Sequence, residues 1–307
     1  MTRCSLLLLA LVVATGCKPS PEAPPKRQPI IDVHLHAFGT DWVKYFKDTS
    51  WFPPLPRPGD SDSLREQTLR LLEQFNVVRA VASGVDPKII DQWRSAAPER
   101  IIPALVLMLG TPIDTIRARV KGGTIQVLGE AIWQFEGLAP DDTRLEPFWS
   151  LAEELDLPIA IHLRGGPPGI QREMPFRMRF NDPLALEDVL VRHPRLRLWL
   201  MHAGYPMGER TLTLLRSFPT VHLDVAGINT ALPRPEFHAY LRRLVDAGFT
   251  RNIMYGSDQA VWPAIIPYSI EGIESADFLS PEQQRAILCG NAARFLRLDP
   301  KLCEGGV

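Results

Sequence analysis

Three polar residues, Asp32, His34 and His36, stand at alternate positions in an otherwise apolar stretch, IIDVHLH at 30–36. Alternate residues on a strand point to the same face, so the spacing predicts that all three side chains point one way. Two imidazoles about 6.5–7 Å apart along one strand end can close on a single metal ion. The plainer account is a strand with two incidental histidines. Polar groups at every second place on its buried side would then be costly without a ligand or partner. Four more candidate ligands, Glu130, His162, His202 and Asp258, lie at the ends of later strand-like runs. Imidazoles and carboxylates together suit a divalent transition metal such as zinc.

The elements that must position these groups alternate along the chain. Strand-like runs at 30–36, 77–82, 101–109, 124–135, 158–163, 196–203, 221–225 and 252–256 are interleaved with helical spacing. The helical stretches are 63–75, 87–97, 112–120, 145–154, 183–191, 207–217, 236–246 and 281–298. The last is opened by Ser280 as N-cap and Pro281 at the first helical position. Apolar strands alternating with helices predict a parallel sheet, and eight repeats predict a closed (β/α)8 TIM barrel. No nucleotide-type glycine fingerprint follows the first strand, which weighs against an open dinucleotide-binding sheet. In such a barrel chemistry sits at the C-terminal ends of the strands. There the first strand places His34 and His36, the fourth Glu130, the fifth His162, the sixth His202 and the eighth Asp258.

With these residues in order, the chain resembles the metal-dependent amidohydrolase superfamily. It is most similar to the amidohydrolase-related branch of aminocarboxymuconate-semialdehyde decarboxylase, related aryl-acid decarboxylases and pyrone-dicarboxylate lactonase. The matching stretches are IDVHLH at 31–36, LGEA at 128–131, IAIHL at 159–163, PLALEDVLVRHPRLRLWLMHAGYP at 183–206, MYGSD at 254–258 and ILCGNAARFL at 287–296. The resemblance implies that His34, His36, His162 and Asp258 hold one metal, and that His202 binds a second metal or orients substrate. Glu130 resembles a carboxylate that bridges two metals in some branches, so one-ion and two-ion sites both stay open, with one placed ahead. The activity implied is hydrolysis of an amide, lactone or ester by metal-activated water, with Asp258 moving the proton and His202 helping to polarise the carbonyl. A metal-dependent decarboxylase of an aromatic or unsaturated acid is the alternative. A non-catalytic binding lipoprotein is the third.

The N-terminus reads differently from the rest. Arg3, the apolar run 6–13 and then Ala14, Thr15 and Gly16 describe an export signal. Small residues directly before Cys17 resemble the lipobox of bacterial lipoproteins, which implies cleavage before Cys17 and a lipid anchor on its thiol. Lys18 follows, where an Asp would favour inner-membrane retention, so the expected place is the periplasmic face of the outer membrane. Residues 18–29 are rich in proline and polar, and read as an extended tether. The expected organisation is therefore a signal at 1–16, a tether at 17–29, a barrel at 30–298 and a short tail at 299–307. Cys289 and Cys303 could pair in an exported protein, but Cys289 falls in a helical pattern and reads as a core thiol.

Composition narrows the partners. The chain has 307 residues, 45% hydrophobic and 22% charged, with net charge −1. Nothing in that balance offers a basic field to nucleic acid. A small-molecule substrate is expected, and association into a homodimer stays open. Around the site, Arg164 suits recognition of a carboxylate or phosphate. Arg172, Arg177 and Arg179 of the same Gly- and Pro-containing stretch read mostly as solvated surface groups. Trp133 either lines the pocket or packs between helix and strand. The aromatics of 36–62 either pack over the site or form a surface excursion. Asp32 and Asp224 either hold a ligand histidine's second nitrogen or partner other groups in the barrel. His193 and His238 read as surface or capping residues, and His222 lies at the wrong end of its strand.

Overall fold

The computed structural model describes residues 27–45, 55–166 and 169–305. The signal, Cys17 and most of the tether lie outside the described residues. Eight parallel strands run in sequence order: β1 (Ile30–His36), β2 (Val77–Gly84), β3 (Ile101–Leu107), β4 (Val127–Ala131), β5 (Pro158–His162), β6 (Arg197–Met201), β7 (His222–Asp224) and β8 (Ile253–Met254). Between β8 and β1, Val33 N–H donates to the Tyr255 carbonyl and Asp258 N–H to the His34 carbonyl. These bonds bring the sheet round into the expected TIM barrel.

Two apolar layers follow from strand alternation. Ile31, Val33, Val81, Ile102, Ala104, Val127, Ala160, Trp199, Met201 and Met254 form a cluster that fills the barrel, together with Cys289 and Phe295 from the last helices. Ile30, Leu35, Leu105, Leu128, Ile161, Leu200 and Leu223 face the helices instead. Both layers are apolar, so the strands read as near-continuous hydrophobic runs, as buried parallel strands do.

The differences from the expected elements have local causes. The strands from β3 on are shorter than the apolar runs, with β6 giving way at His202–Gly204 and β8 at Tyr255 to loops that carry the site, while β1 keeps its expected span and β2 runs on to Gly84. The expected helix over 281–298 is Pro281–Arg285, a wider π-type turn at Ala286–Gly290, and Asn291–Phe295. Its N-terminal capping box is present, with Ser280 and Gln283 each bonding the other's backbone N–H. Cys289 and Cys303 form a disulfide, against the expectation of a free core thiol. Cys289 is indeed buried in the barrel cluster, but the chain doubles back after Phe295 and lays Cys303 beside it. The helix Ile265–Glu274 has no counterpart in the expected set. Among the described residues no helix is long and apolar enough to cross a membrane.

Candidate metal centre

The C-terminal mouth of the barrel gathers the six predicted groups. His36 Nε2 lies 3.0 Å from Asp258 Oδ1 and 3.8 Å from Glu130 Oε2. His34 Nε2 lies 3.8 Å from Asp258 Oδ1. Glu130 Oε1 faces His162 Nδ1 at 3.6 Å and His202 Nε2 at 3.7 Å. All six residues are buried or nearly so. The backbone bends to reach this arrangement. His202 and Asp258 adopt left-handed φ of 58° and 52°, which non-glycine residues seldom do and which cluster at functional sites.

The alternation expected for Asp32, His34 and His36 does not hold. Ile31 and Val33 share the inner face and Leu35 the outer, and pairing with β2 slips between Asp32 and Leu35. His34 and His36 therefore point inward while Asp32 does not share their face. Asp32 Oδ1 accepts the backbone N–H of His34 and of Ser257, each at 3.0 Å, so it ties β1 to the exit of β8. Burial raises its pKa to about 6 against those bonds. Asp224 takes the other role, with Oδ2 3.1 Å from His34 Nδ1.

The fit to a cation rests on which nitrogens lack partners. His34 Nε2, His36 Nδ1 and both nitrogens of His162 are buried without a hydrogen bond. Orphaned buried polar atoms of this kind are costly unless a ligand takes them. The atoms of His34, His36 and Glu130 lie within 4.8 Å of one another, as do those of Glu130, His162 and His202. His202 Nδ1 is committed to the Ala226 carbonyl at 2.8 Å. As a neutral ring it then presents a lone pair at Nε2, which suits a cation; only as imidazolium would it donate to a substrate oxygen. The residues present thus fit a divalent ion.

The electrostatics point the same way. Burial opposes ionisation of Asp258, but His34, His36 and His202 outweigh it and hold the carboxyl well below its usual range. Glu130 is likewise depressed, burial being overcome by His162, His202, His36 and His34. Burial pushes His162 down to about 3 despite Glu130. For His34 burial is overcome by Asp224 and Asp258, and its pKa rises to about 10. Two carboxylates and a neutral His162 are the protonation states that ligation requires, and His34 must give up a proton to join them.

The surrounding residues divide. Arg164 reaches the site, its guanidinium 3.9 Å from Asp258 Oδ2, and burial lowers its pKa. Trp133 does not line the site. It is 1% exposed and packs on Phe148 and Trp149 between strands and helices. Two residues on, Phe135 stacks on His162 with centroids 5.3 Å apart. Phe38 stacks on His36 at 4.5 Å and Trp42, on the short helix Thr40–Tyr45, stacks on Phe38, so aromatics of 36–62 do pack over the site. Residues 46–54 of that stretch lie outside the described residues. His222 sits at the far end of β7, bonded to the Thr220 carbonyl, as expected. His193 is the C-cap of the helix Glu187–Arg192, as expected of a capping residue, but it is buried at 6% exposed, with Nε2 2.6 Å from Glu146 and Nδ1 3.4 Å from Glu153. His238 is half-buried against the Gly272 carbonyl.

Two supporting residues escaped the sequence reading. Gln259 accepts the His36 N–H and donates to the His36 carbonyl, both at 2.8 Å. It immediately follows the GSD motif, and no spacing rule marks it. Gly227, at φ 69° and ψ −42°, forms a tight turn in which Ile228 N–H donates to the Ala226 carbonyl. A Cβ there would lie 2.6 Å from Arg164 Nη1, 2.6 Å from Asp258 Oδ2 and 3.0 Å from His202 Nδ1.

A family model described as Amidohydrolase matches residues 31–298. No curated protein sequence matches the chain. Among solved structures, an uncharacterised TIM-barrel protein from Bordetella bronchiseptica is similar with a TM-score of 0.66 at 17% identity, covering 88% of this chain and 98% of its own. A probable 2-pyrone-4,6-dicarboxylic acid hydrolase from Acinetobacter baumannii, with citric acid bound, gives 0.64 at 18% identity, over 88% and 99%. A 5-carboxyvanillate decarboxylase from Novosphingobium aromaticivorans, complexed with manganese and a nitrobenzoic acid, gives 0.60 at 10% identity, over 89% and 96%. At these identities the likeness establishes the barrel, and the second and third differ in the chemistry their names give, hydrolysis against decarboxylation.

Proposed function

Since the chain belongs to the Amidohydrolase family, we propose that it is a metal-dependent hydrolase cutting a C–N or C–O bond of an amide, lactone or ester. One observation carries the reading: unpartnered nitrogens of His34 and His162, with His36 Nε2 beside them, converge with Glu130 and Asp258 at one barrel mouth. His34, His36, His162 and Asp258 would hold one divalent ion, zinc by the character of its donors. Glu130 and His202 lie near enough to complete a second place. A divalent ion there supplies a water acidified to near neutral pH and withdraws electrons from the scissile carbonyl.

The chain's own groups do the rest. Asp258, kept ionised, accepts a proton from the attacking water and hands it to the leaving group. Arg164, 3.9 Å from that carboxylate, anchors an acidic group on the substrate. Phe38 and Phe135 screen His36 and His162 from water. The same two rings would suit a flat acid, which favours decarboxylation of an aromatic acid as the second reading. Export with a lipid on Cys17 belongs to the proposal. The Cys289–Cys303 disulfide supports it, because such bonds persist in oxidising compartments.

The test pairs metal analysis of the purified full chain with a panel of amides, lactones, esters and aromatic acids. Stoichiometric metal and hydrolysis that is lost in His162→Ala are expected. Carbon dioxide release from aromatic acids without hydrolysis would replace the hydrolase with the decarboxylase. Metal well below stoichiometry, with no turnover, would leave a binding protein. Labelled palmitate that stays on Cys17→Ser would remove the lipid anchor.

A further inference from the structure

Asp224 ends β7 fully buried, and its acceptor positions are taken. Oδ2 lies 3.1 Å from His34 Nδ1 and accepts the indole N–H of Trp199 at 3.1 Å. Oδ1 accepts the backbone N–H of His202 at 2.9 Å and of Ala226 at 3.1 Å. An ionised carboxylate offers about four lone-pair positions, so four donors fill it. By distance alone Asp224 is a candidate ligand, because atoms of His34, His202 and Asp224 lie within 4.8 Å of one another. The hydrogen bonds decide otherwise. A cation on either oxygen would have to displace buried donors that have no water to turn to, which is expensive for each donor left unpaired.

We infer that Asp224 is a positioning residue that sets the orientation of two imidazoles at once, and not a ligand itself. For His34 it acts directly, keeping a proton on Nδ1 so that the Nε2 lone pair faces the mouth. For His202 it acts through the backbone. It holds the His202 N–H where φ is 58°, and it holds the Ala226 N–H of the peptide segment whose carbonyl takes His202 Nδ1 at 2.8 Å. One carboxylate thereby turns Nε2 of both rings inward, one from strand β1 and the other from the turn that follows β6. Carboxylates that bond a ligand imidazole's second nitrogen commonly fix its tautomer and strengthen it as a donor. The consequence for metal affinity rests on the proposed metal-binding reading; the orientation of the rings does not.

The experiment uses the full chain, metal-free and zinc-loaded, with nitrogen-15 NMR of the histidine rings and a measured zinc dissociation constant. In wild type, His34 Nδ1 should carry a proton in the zinc-loaded form, and in the metal-free form above about pH 10, where the ring is neutral and its tautomer can be read. Asp224→Asn keeps the shape but turns one oxygen into an NH2 that faces donors whichever way it lies, and should weaken zinc about 10–100-fold. Trp199→Phe removes a donor from the same oxygen without touching either imidazole; it should lower the melting temperature and leave zinc affinity unchanged. Equal loss of affinity in the two variants would reduce Asp224 to a packing role. An unprotonated Nδ1 in wild type overturns the inference even where Asp224→Asn fails to fold. Wild type that takes up no zinc would sink the metal reading alone, since the metal-free ring spectrum still decides the role of Asp224.

Discussion

Gly227→Ala adds one methyl group and should damage the site out of proportion to its size. The backbone conformation is the first cost. At φ 69° and ψ −42° an L-residue is strained by about 1–3 kcal/mol. Crowding is the second. The new Cβ would stand 2.6 Å from both Arg164 Nη1 and Asp258 Oδ2, and 3.0 Å from His202 Nδ1. Overpacking of this kind costs about a further 1–3 kcal/mol, so stability should fall by about 2–6 kcal/mol. The three groups must also retreat by up to about 1 Å, and misplacement on that scale can cost about a hundredfold in rate. Gly248→Ala is the control. Its φ is 91° with nothing within 4 Å of the added Cβ, so it carries strain without crowding. Urea unfolding should show both variants destabilised, Gly227→Ala more. Zinc affinity, and kcat/KM on whichever panel substrate is turned over, should collapse only in Gly227→Ala. Wild-type turnover in that variant, or an equal fall in both, would refute the reasoning.

Three further outcomes follow from the same geometry. Because His34 in the metal-free protein is raised to about 10 by Asp224 and Asp258 against burial, it must shed a proton to offer Nε2. Metal affinity should therefore climb with pH, about tenfold per unit from this group, with roughly one proton released per ion; calorimetry in two buffers of different ionisation enthalpy reads that number, and none released would refute it. His222 at the barrel floor is pushed down by burial to about 4 from an ordinary 6.5. The unfolded chain then takes a proton that the folded one refuses, so stability is lost as pH falls from 6.5 to 4, by at most about 3 kcal/mol, and His222→Gln should flatten that limb of the urea midpoint against pH. The Cys289–Cys303 bridge spans 14 residues, and opening it with Cys303→Ser should cost about 3 kcal/mol in urea unfolding; an unchanged midpoint would count against the bridge.

Why the barrel was legible and its edges were not follows from where the information lies. Runs such as Ile101–Leu107 are apolar at every position because both faces are buried, inner at Ile102 and Ala104 and outer at Leu105 and Leu107. That signal is local and needs no knowledge of neighbours. Strand ends are set by hydrogen bonding to a partner strand, which is not local. Hydrophobic residues continue past β6 into Ala203, yet the ladder stops at Met201 because His202 turns away to reach Asp224 and Ala226. The bridge was missed for a related reason: helical spacing through Cys289 says nothing of a chain that reverses after Phe295 and returns Cys303 to it.

The six site groups could be named because each lies at or just past the C-terminal end of a strand-like run, but their support could not. Asp224 lies 190 residues from His34, and Gln259 223 residues from His36. Contacts that distant leave no periodic trace. The strands themselves show why regular alternation was a poor guide at the mouth. β2 and β3 pair without a slip and carry no candidate ligand. The pairings that slip all involve β1 or β4, and these supply His34, His36 and Glu130. On β4 the slip needs Gly129, at φ 141°, where a Cβ would lie 2.6 Å from that of Ala160. His202 and Asp258 reach inward by left-handed turns instead, and only His162 is delivered by plain alternation, in register with Met201. A period of two carries inward-facing residues up the inside of a barrel one layer at a time. To crowd several imidazoles and carboxylates round one point, strands must break that period. The broken strands β1 and β4 are thus the ones that bear three of the six ligands.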